Sequence, residues 1–431
     1  MNPSGAAVSL QRVMEKFKIV GGTPLSGEIP VSGSKNSALP ALAACLLTEE
    51  PVTLHRIPQV KDILTMETLL THTGARLSDQ DGTVCINARS LDRAEAPYDV
   101  VKTMRASSLV LGPLVARTGR ARVSMPGGCA IGARPINLHV SALEQLGATI
   151  EQTHGYVEAQ APAGLRGSQI HFDRITVTGT EDLLMAAVLA RGETVIRNAA
   201  CEPEVKDLAE LLIKMGAKIE GAGTSIIKVK GVERLHGAEH TIIPDRIEAG
   251  TFVLSGAISK GDVLVSNCIP EHLAALLFKM RQAGAEVHET DGNAVRIRCL
   301  RRLKATDIST EEYPGFATDL QAQYMAAMTL AEGVSLVTEM IFENRFMHAQ
   351  ELARMGANIR IEGRRAIVTG EEELTGAQVI ASDLRGSASL VLAALVARGE
   401  STIDRVYHMD RGYERMDEKL AAIGAKIQRI Q

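Results

Sequence analysis

The chain has 431 residues, 45% of them apolar, which is more than one core can absorb and points to two or three domains. Its 47 basic and 51 acidic residues leave a net charge of −4, which excludes a broadly basic surface for nucleic acid or membrane. Any anion site must therefore be a local cluster. Aromatic residues are only 3% and Trp is absent, so the cores are aliphatic.

The N-terminal "MNPSGAAVSLQRVMEKFK" lacks a long apolar run and a cleavage-type end, so residues 1–16 read as an extension outside the fold. Runs such as "SSLVLGPLVA" are too short to span a bilayer, and the expected location is cytoplasmic. From there a helix-like segment ending in Gly-Ala, one residue and an aliphatic recurs as "GARL", "GATI", "GAKI", "GAEV", "GANI" and "GAKI", beginning at residues 74, 147, 216, 284, 356 and 424. Intervals of 68 to 73 residues give six copies of one unit. A second landmark runs in step: apolar helical segments that stop at a glycine and restart as a strand, as in "VLARGETVIRNA" and "LVARGESTIDRV". The helix "NLHVSALEQLGATI" puts Leu138, Ala142, Leu143 and Leu146 on one face, and Gly147 ends it as a C-cap residue does.

Two helices and several short strands per 70 residues suggest βαβαββ units, forming either an open array or two three-fold groups. Two segments break the pattern, "SGSKNSALP" from residue 32 and "IIPDRIEAG" from residue 242, and they bracket about three units. They are expected to be the two strands of a hinge. The expected domains are residues 35–243, and residues 17–34 together with 244–431.

In "SMPGGCAIGARP" a thiol, Cys129, lies among Gly127, Gly128 and Gly132, a loop with little core to bury it. The nearby Arg134 favours its thiolate. The other five cysteines (45, 85, 201, 268, 299) are scattered without CxxC spacing, indicating neither a zinc site nor a disulfide framework, and are expected to be small buried apolar residues in a reducing compartment. Lys35 and Asn36 fall at the hinge. Arg105 and Arg385 each precede an apolar helix, where backbone donors also favour an anion, and are expected at the second helix of units in opposite halves. Arg345 lies between Phe342 and Phe346, and Arg411 in "HMDRGYERM". Taken singly each cation reads as a surface ion pair. As a set they can converge if the halves face each other. Asp319 begins another apolar helix, either as a capping acid or as a base for a substrate hydroxyl. No GxGxxG, P-loop or HExxH motif occurs, and no His marks a ligand set.

The motifs "SGSKNSALP", "YDVVKTMRAS", "PGGCAIGARP", "PDRIEAGTF", "ATDLQAQ", "FENRFMH", "DLRGSASL" and "DRGYERMDEKL", in order from about residue 17 to the C-terminus, resemble the UDP-N-acetylglucosamine enolpyruvyl transferase family. The resemblance implies a two-domain inside-out α/β barrel, each domain three βαβαββ units with pseudo-threefold symmetry. It implies transfer of the enolpyruvyl group of phosphoenolpyruvate to the 3′-hydroxyl of the nucleotide sugar, as the first committed step of peptidoglycan synthesis, without metal or cofactor. By the same resemblance Cys129 is the general acid, able also to add covalently to the donor, and Asp319 is the base. Lys35, Asn36, Arg134 and Arg411 hold phosphoenolpyruvate. Arg105, Arg134, Pro135, Ile136, Asn137, Leu138, Arg174, Thr176, Val177, Thr178, Asp319 and Ile341 contact the nucleotide sugar, and Arg345, Asp383 and Arg385 support the clamp across the cleft. Asn137 stands where some members carry Asp, and Arg174 where some carry Lys. A monomer is expected, with no nucleic-acid or membrane partner.

Two rival readings differ in kind. One is an enolpyruvylshikimate phosphate synthase, with the same fold and donor, which does not rely on such a cysteine. The other is a non-catalytic repeat scaffold, elongated and with plain loops.

Overall fold

The structure is a computed structural model that describes residues 15–102, 104–125, 136–290 and 292–431, with the side chain of Arg105 also left out. Cys129, Arg134 and Pro135 lie outside the described residues.

Six four-stranded sheets are present, all built to one plan. In the fifth, for example, edge strand Ile308–Ser309 runs parallel to Val334–Thr338, which pairs antiparallel with Arg365–Thr369, and that with Asn358–Glu362. Five units follow the order strand, helix, strand, helix, hairpin, and the sixth takes its last strand, Lys16–Val20, from the N-terminal end of the chain, so the six βαβαββ units expected from the repeat are present.

Local chemistry explains the repeat. The unit's second helix is the amphipathic one, seen in Lys61–Thr73, Pro203–Lys214 and Met416–Ala422, and it gives way to the hairpin at the Gly-Ala landmark. Gly74, Gly147, Gly216, Gly284, Gly356 and Gly424 all have φ between 92° and 105°, a left-handed conformation that costs a side-chain-bearing residue about 1 kcal/mol or more. The second landmark follows the same rule with one exception. In "AISKGDVLVSNC" the positive φ falls on Lys260, and Gly261 is called for by close approach instead, since a Cβ there would come within 2.2 Å of the Leu25 carbonyl oxygen.

The first helix of each unit is largely buried and lies inside. Arg246–Ile258, Gln321–Met328 and Leu384–Val396 pack on one another in one half, and Lys35–Ala44, Leu111–Thr118 and Val177–Ala187 do so in the other. The sheets wrap outside them, with alternating residues facing in, as in Val263 and Val265 of Asp262–Ser266. This is the inside-out α/β barrel. Two separate buried clusters result, one from residues 38–242 and the other from residues 17–31 and 247–427.

The chain passes between the halves twice, at residues 32–34 and 243–245. Here the hinge expectation changes in detail: the crossings are joined by an isolated Gly33–Pro244 bridge rather than by strands. Ser34 N–H donates to the Ile243 carbonyl at 2.8 Å and Asp245 N–H to that of Ser32 at 3.0 Å. Around this crossing the first strands are exchanged. Ser26–Pro30, which leads into helix Lys35–Ala44, pairs with Asp262–Ser266 of the far half, while Glu239–Thr241, which leads into Arg246–Ile258, pairs with Val52–His55.

Four expectations are corrected. Arg105 and Arg385 head the first helix of their units, not the second, because the helical stretches they begin follow Glu95–Ala96 and Gln378–Ile380, the first strands of those units. Leu138 is only half-buried, and Val140 and His139 join Ala142, Leu143 and Leu146 inside. Cys85 and Cys201 are half-buried rather than buried; strand alternation turns Val84 and Ile86 inward and Cys85 out. Lys16 belongs to the first strand, opposite Ile430, rather than to the extension.

Candidate active site

The candidate residues sit where the inner helices begin. Ser34 caps Lys35–Ala44, its hydroxyl accepting from Ser37 N–H at 3.3 Å, so Lys35 occupies the first turn. Asp245 caps Arg246–Ile258 through Oδ1, which accepts from Ile247 and Glu248, while its Oδ2 accepts from Lys35 N–H at 3.2 Å. One carboxylate thus fixes two helix starts from opposite halves. Asp383 caps Leu384–Val396 by accepting from Arg385 and Gly386 N–H at 3.0 Å each, which aims the Arg385 side chain.

Two carboxylates gather the cations. Asp319, in a 3-10 turn ahead of Gln321–Met328, accepts from Arg345 Nη2 at 2.7 Å on Oδ1 and from Arg385 Nε at 3.1 Å on Oδ2. Its side chain caps neither helix, so the capping reading gives way to an ion-pair role. Asp62 accepts from Lys35 Nζ at 3.3 Å and from Arg411 Nε at 2.9 Å, the latter pair joining the two halves. Burial pushes the Lys35 ammonium below its ordinary value; Asp62 and Asp319 oppose this and Arg385 and Arg411 add to it. For Arg385 burial acts to lower the value, but Asp319 and Tyr413 outweigh it and the guanidinium is held well above its usual range. The result is a cluster of cations from both halves whose side chains are paired with two carboxylates, Asp62 and Asp319.

Another contact joins the halves at Arg246 and Tyr313. Arg246 Nε donates to Glu204 at 2.9 Å, its guanidinium lying 5.7 Å from the Tyr313 ring centre, and Tyr313 N–H donates to Glu202 at 3.4 Å. Burial, then Glu204 and Glu202, raise the Glu181 carboxyl well above the ordinary range.

Lys35, Asp319, Arg345, Asp383, Arg385 and Arg411 are thus gathered in one region. Asn36 is half-buried beside Lys35. Ile341 N–H donates to Glu339 at 2.9 Å. Ile136 is buried at the start of Asn137–Gln145, with Asn137 exposed. Thr176 caps Val177–Ala187 by accepting from Gly179 N–H at 3.2 Å; Val177 is half-buried, and Arg174 and Thr178 are exposed, outside the ion-pair cluster.

Sequence reasoning missed Asp62 and Glu339. Asp62 reads as an ordinary first-turn acid of an amphipathic helix, and only its place in the doublet Lys61-Asp62, opposite in order to Asp410-Arg411, signals more. Glu339 is 1% exposed and accepts from the Thr310 and Thr318 hydroxyls and the Ile341 and Phe342 amides, tying the loop before Arg345 to the turn that holds Asp319.

An inside-out barrel of two three-unit halves, with a cationic site between them, defines an enolpyruvyl transferase. The chain belongs to the EPSP synthase (3-phosphoshikimate 1-carboxyvinyltransferase) family, whose model matches residues 19–420. It is 70% identical to the UDP-N-acetylglucosamine 1-carboxyvinyltransferase of Solibacter usitatus (strain Ellin6076), over 97% of this chain and 100% of that one. It is 64% identical to the protein of the same name from Koribacter versatilis (strain Ellin345), over 97% of each. Among solved structures, the enolpyruvyl transferase NikO from Streptomyces tendae superposes with a TM-score of 0.87 at 26% identity, covering 96% of this chain and 99% of that one.

Proposed function

We propose that the protein transfers the enolpyruvyl group of phosphoenolpyruvate to the 3′-hydroxyl of UDP-N-acetylglucosamine with release of phosphate, the first committed step of peptidoglycan synthesis and hence a requirement for cell shape and division. The observation that carries the acceptor is the 70% identity, end to end, with a relative named for that reaction. The geometry agrees, because phosphoenolpyruvate puts a phosphate and a carboxylate on three carbons and the site offers cations from both halves.

In this reading Asp319 takes the proton of the 3′-hydroxyl as its oxygen bonds to C2 of phosphoenolpyruvate, and Cys129 delivers a proton to C3, giving a tetrahedral ketal. Loss of a proton from C3 and cleavage of the C2–O bond then expel phosphate. Lys35, Asn36, Arg134 and Arg411 bind the donor. Arg105, Arg134, Pro135, Ile136, Asn137, Leu138, Arg174, Thr176, Val177, Thr178, Asp319 and Ile341 line the nucleotide sugar, while Arg345, Asp383 and Arg385 hold Asp319 and the clamp in register. The working domains are residues 35–243 and residues 17–34 with 244–431, which close on substrate; the protein acts in the cytoplasm as a monomer, and fosfomycin alkylates Cys129. Among the described residues no helix is long and apolar enough to cross a membrane.

Phosphate release measured with phosphoenolpyruvate and either UDP-N-acetylglucosamine or shikimate 3-phosphate tests the reading. Turnover with the nucleotide sugar alone supports it, and turnover with shikimate 3-phosphate alone overturns it.

A further inference from the structure

Two consecutive residues at the start of helix Lys61–Thr73 meet two consecutive residues at the end of the 3-10 segment Val406–Arg411, with their charges in reverse order. Lys61 Nζ lies 3.0 Å from Asp410 Oδ2, and Arg411 Nε lies 2.9 Å from Asp62 Oδ1, with Arg411 Nη2 at 3.4 Å from Oδ2. The Gln59 amide extends the seam by donating to Glu414 at 3.2 Å. The inner pair is the more enclosed: the Asp62 side chain is 6% exposed and that of Arg411 35%, against 51% for Lys61 and 19% for Asp410. Asp410 is itself held from behind by Arg429 at 2.8 Å.

From this geometry we infer that Asp62 is a positioning residue for the phosphoenolpyruvate end of the site, and that the Lys61-Asp62/Asp410-Arg411 doublet brings Arg411 across from the far half. The inference rests on the function proposed above. Asp62 takes one hydrogen of the Lys35 ammonium and the Nε–Nη2 edge of Arg411, so the Nη1 donors and the remaining Lys35 hydrogens are aimed together. Two cations with a common acceptor are fixed relative to each other, although they stand 376 positions apart in the chain and on different halves. Without the carboxylate, Lys35 and Arg411 repel and separate. The outer pair adds orientation, since a doublet of alternating sign has a single favourable register and a one-residue slip would bring like charges together.

The sign of one measurement separates this from a rival role. If Asp62 only occupied the anion site in competition with substrate, Asp62→Asn would lower KM for phosphoenolpyruvate. As a positioning residue, its loss raises that KM by about 10- to 100-fold, the scale of a misplacement near 1 Å, with KM for UDP-N-acetylglucosamine within about twofold. Asp62→Glu, which keeps the charge on a longer arm, falls between the two. Lys61→Glu reverses the outer arm without touching either cation of the clamp and raises KM for phosphoenolpyruvate selectively, so it carries the test even if Asp62→Asn does not fold. An unchanged or lowered KM for phosphoenolpyruvate in Asp62→Asn, or in Lys61→Glu an unchanged value or a parallel rise in both KM values, overturns the inference. Wild-type protein without phosphate release from these substrates refutes the proposed function instead.

Discussion

Replacing Asp319 with Asn tests whether its carboxylate is both the counter-charge and the base of the site. Its Oδ1 accepts from Arg345 Nη2 at 2.7 Å and its Oδ2 from Arg385 Nε and Nη2 at 3.1 and 3.0 Å, and the two arginine side chains are only 5% and 4% exposed. An amide keeps one acceptor oxygen and turns an NH₂ toward the other guanidinium, whichever way it is flipped. At least one buried arginine therefore loses its anionic partner. A hydrogen bond to a charged group contributes about 1.5–3 kcal/mol, and the 25% exposure of Asp319 argues for the lower part of that range, so the expected loss of stability is about 2 kcal/mol. The effect on catalysis is larger. Loss of a positioned general base costs about 10²- to 10⁴-fold in kcat. Phosphate-release kinetics and a urea titration on the same preparation measure the two separately. A kcat within about tenfold of wild type refutes the base assignment, and unchanged stability refutes the counter-charge argument.

Three further predictions follow from the same geometry. Alkylation by fosfomycin, read by peptide mass spectrometry, is expected at Cys129 and not at Cys45, Cys201, Cys268 or Cys299, because burial pushes the thiols of Cys201, Cys299 and Cys45 up and that of Cys268 up to about 11; label on any of these four contradicts the selectivity. Burial raises the Glu248 carboxyl from 4.5 to about 7 despite its contact with Lys419, so its stabilising contribution is full below about pH 4.5 and is lost as pH rises toward 7. The stability advantage of Glu248→Gln over wild type should then grow by about 1.4 kcal/mol per pH unit across that window, and a flat difference between the two denaturation curves refutes it. At the crossing, a Cβ on Gly33 would lie 1.8 Å from the Arg56 carbonyl oxygen, so Gly33→Ala should destabilise by about 1–3 kcal/mol in urea, and a neutral result removes the close-approach argument.

Much of this fold follows from features that are local in the chain. A left-handed turn favours glycine, so the six Gly-Ala landmarks mark six units in the sequence itself. An inner helix is enclosed by its neighbours, so Leu384–Val396 and Arg246–Ile258 stand out in the sequence as apolar runs, and the candidate residues Lys35, Asp319 and Arg385 fall in motifs at or just before the starts of three inner helices. What local chemistry could not reach was the pairing. Ser26–Pro30 precedes one half's first helix yet completes the other half's sheet, a choice made by sheet closure and not by the strand's own residues. Glu339 in sequence is one acid among many, and becomes a site residue only when four donors fold around it. Asp62 meets Arg411 across 349 residues, and nothing within the helix around Asp62 favours that partner over solvent. Periodicity and backbone conformation act over a few residues and are written in the chain, whereas the partner of a buried charge is decided by which surfaces are brought together when the halves meet, and only the tertiary structure contains that.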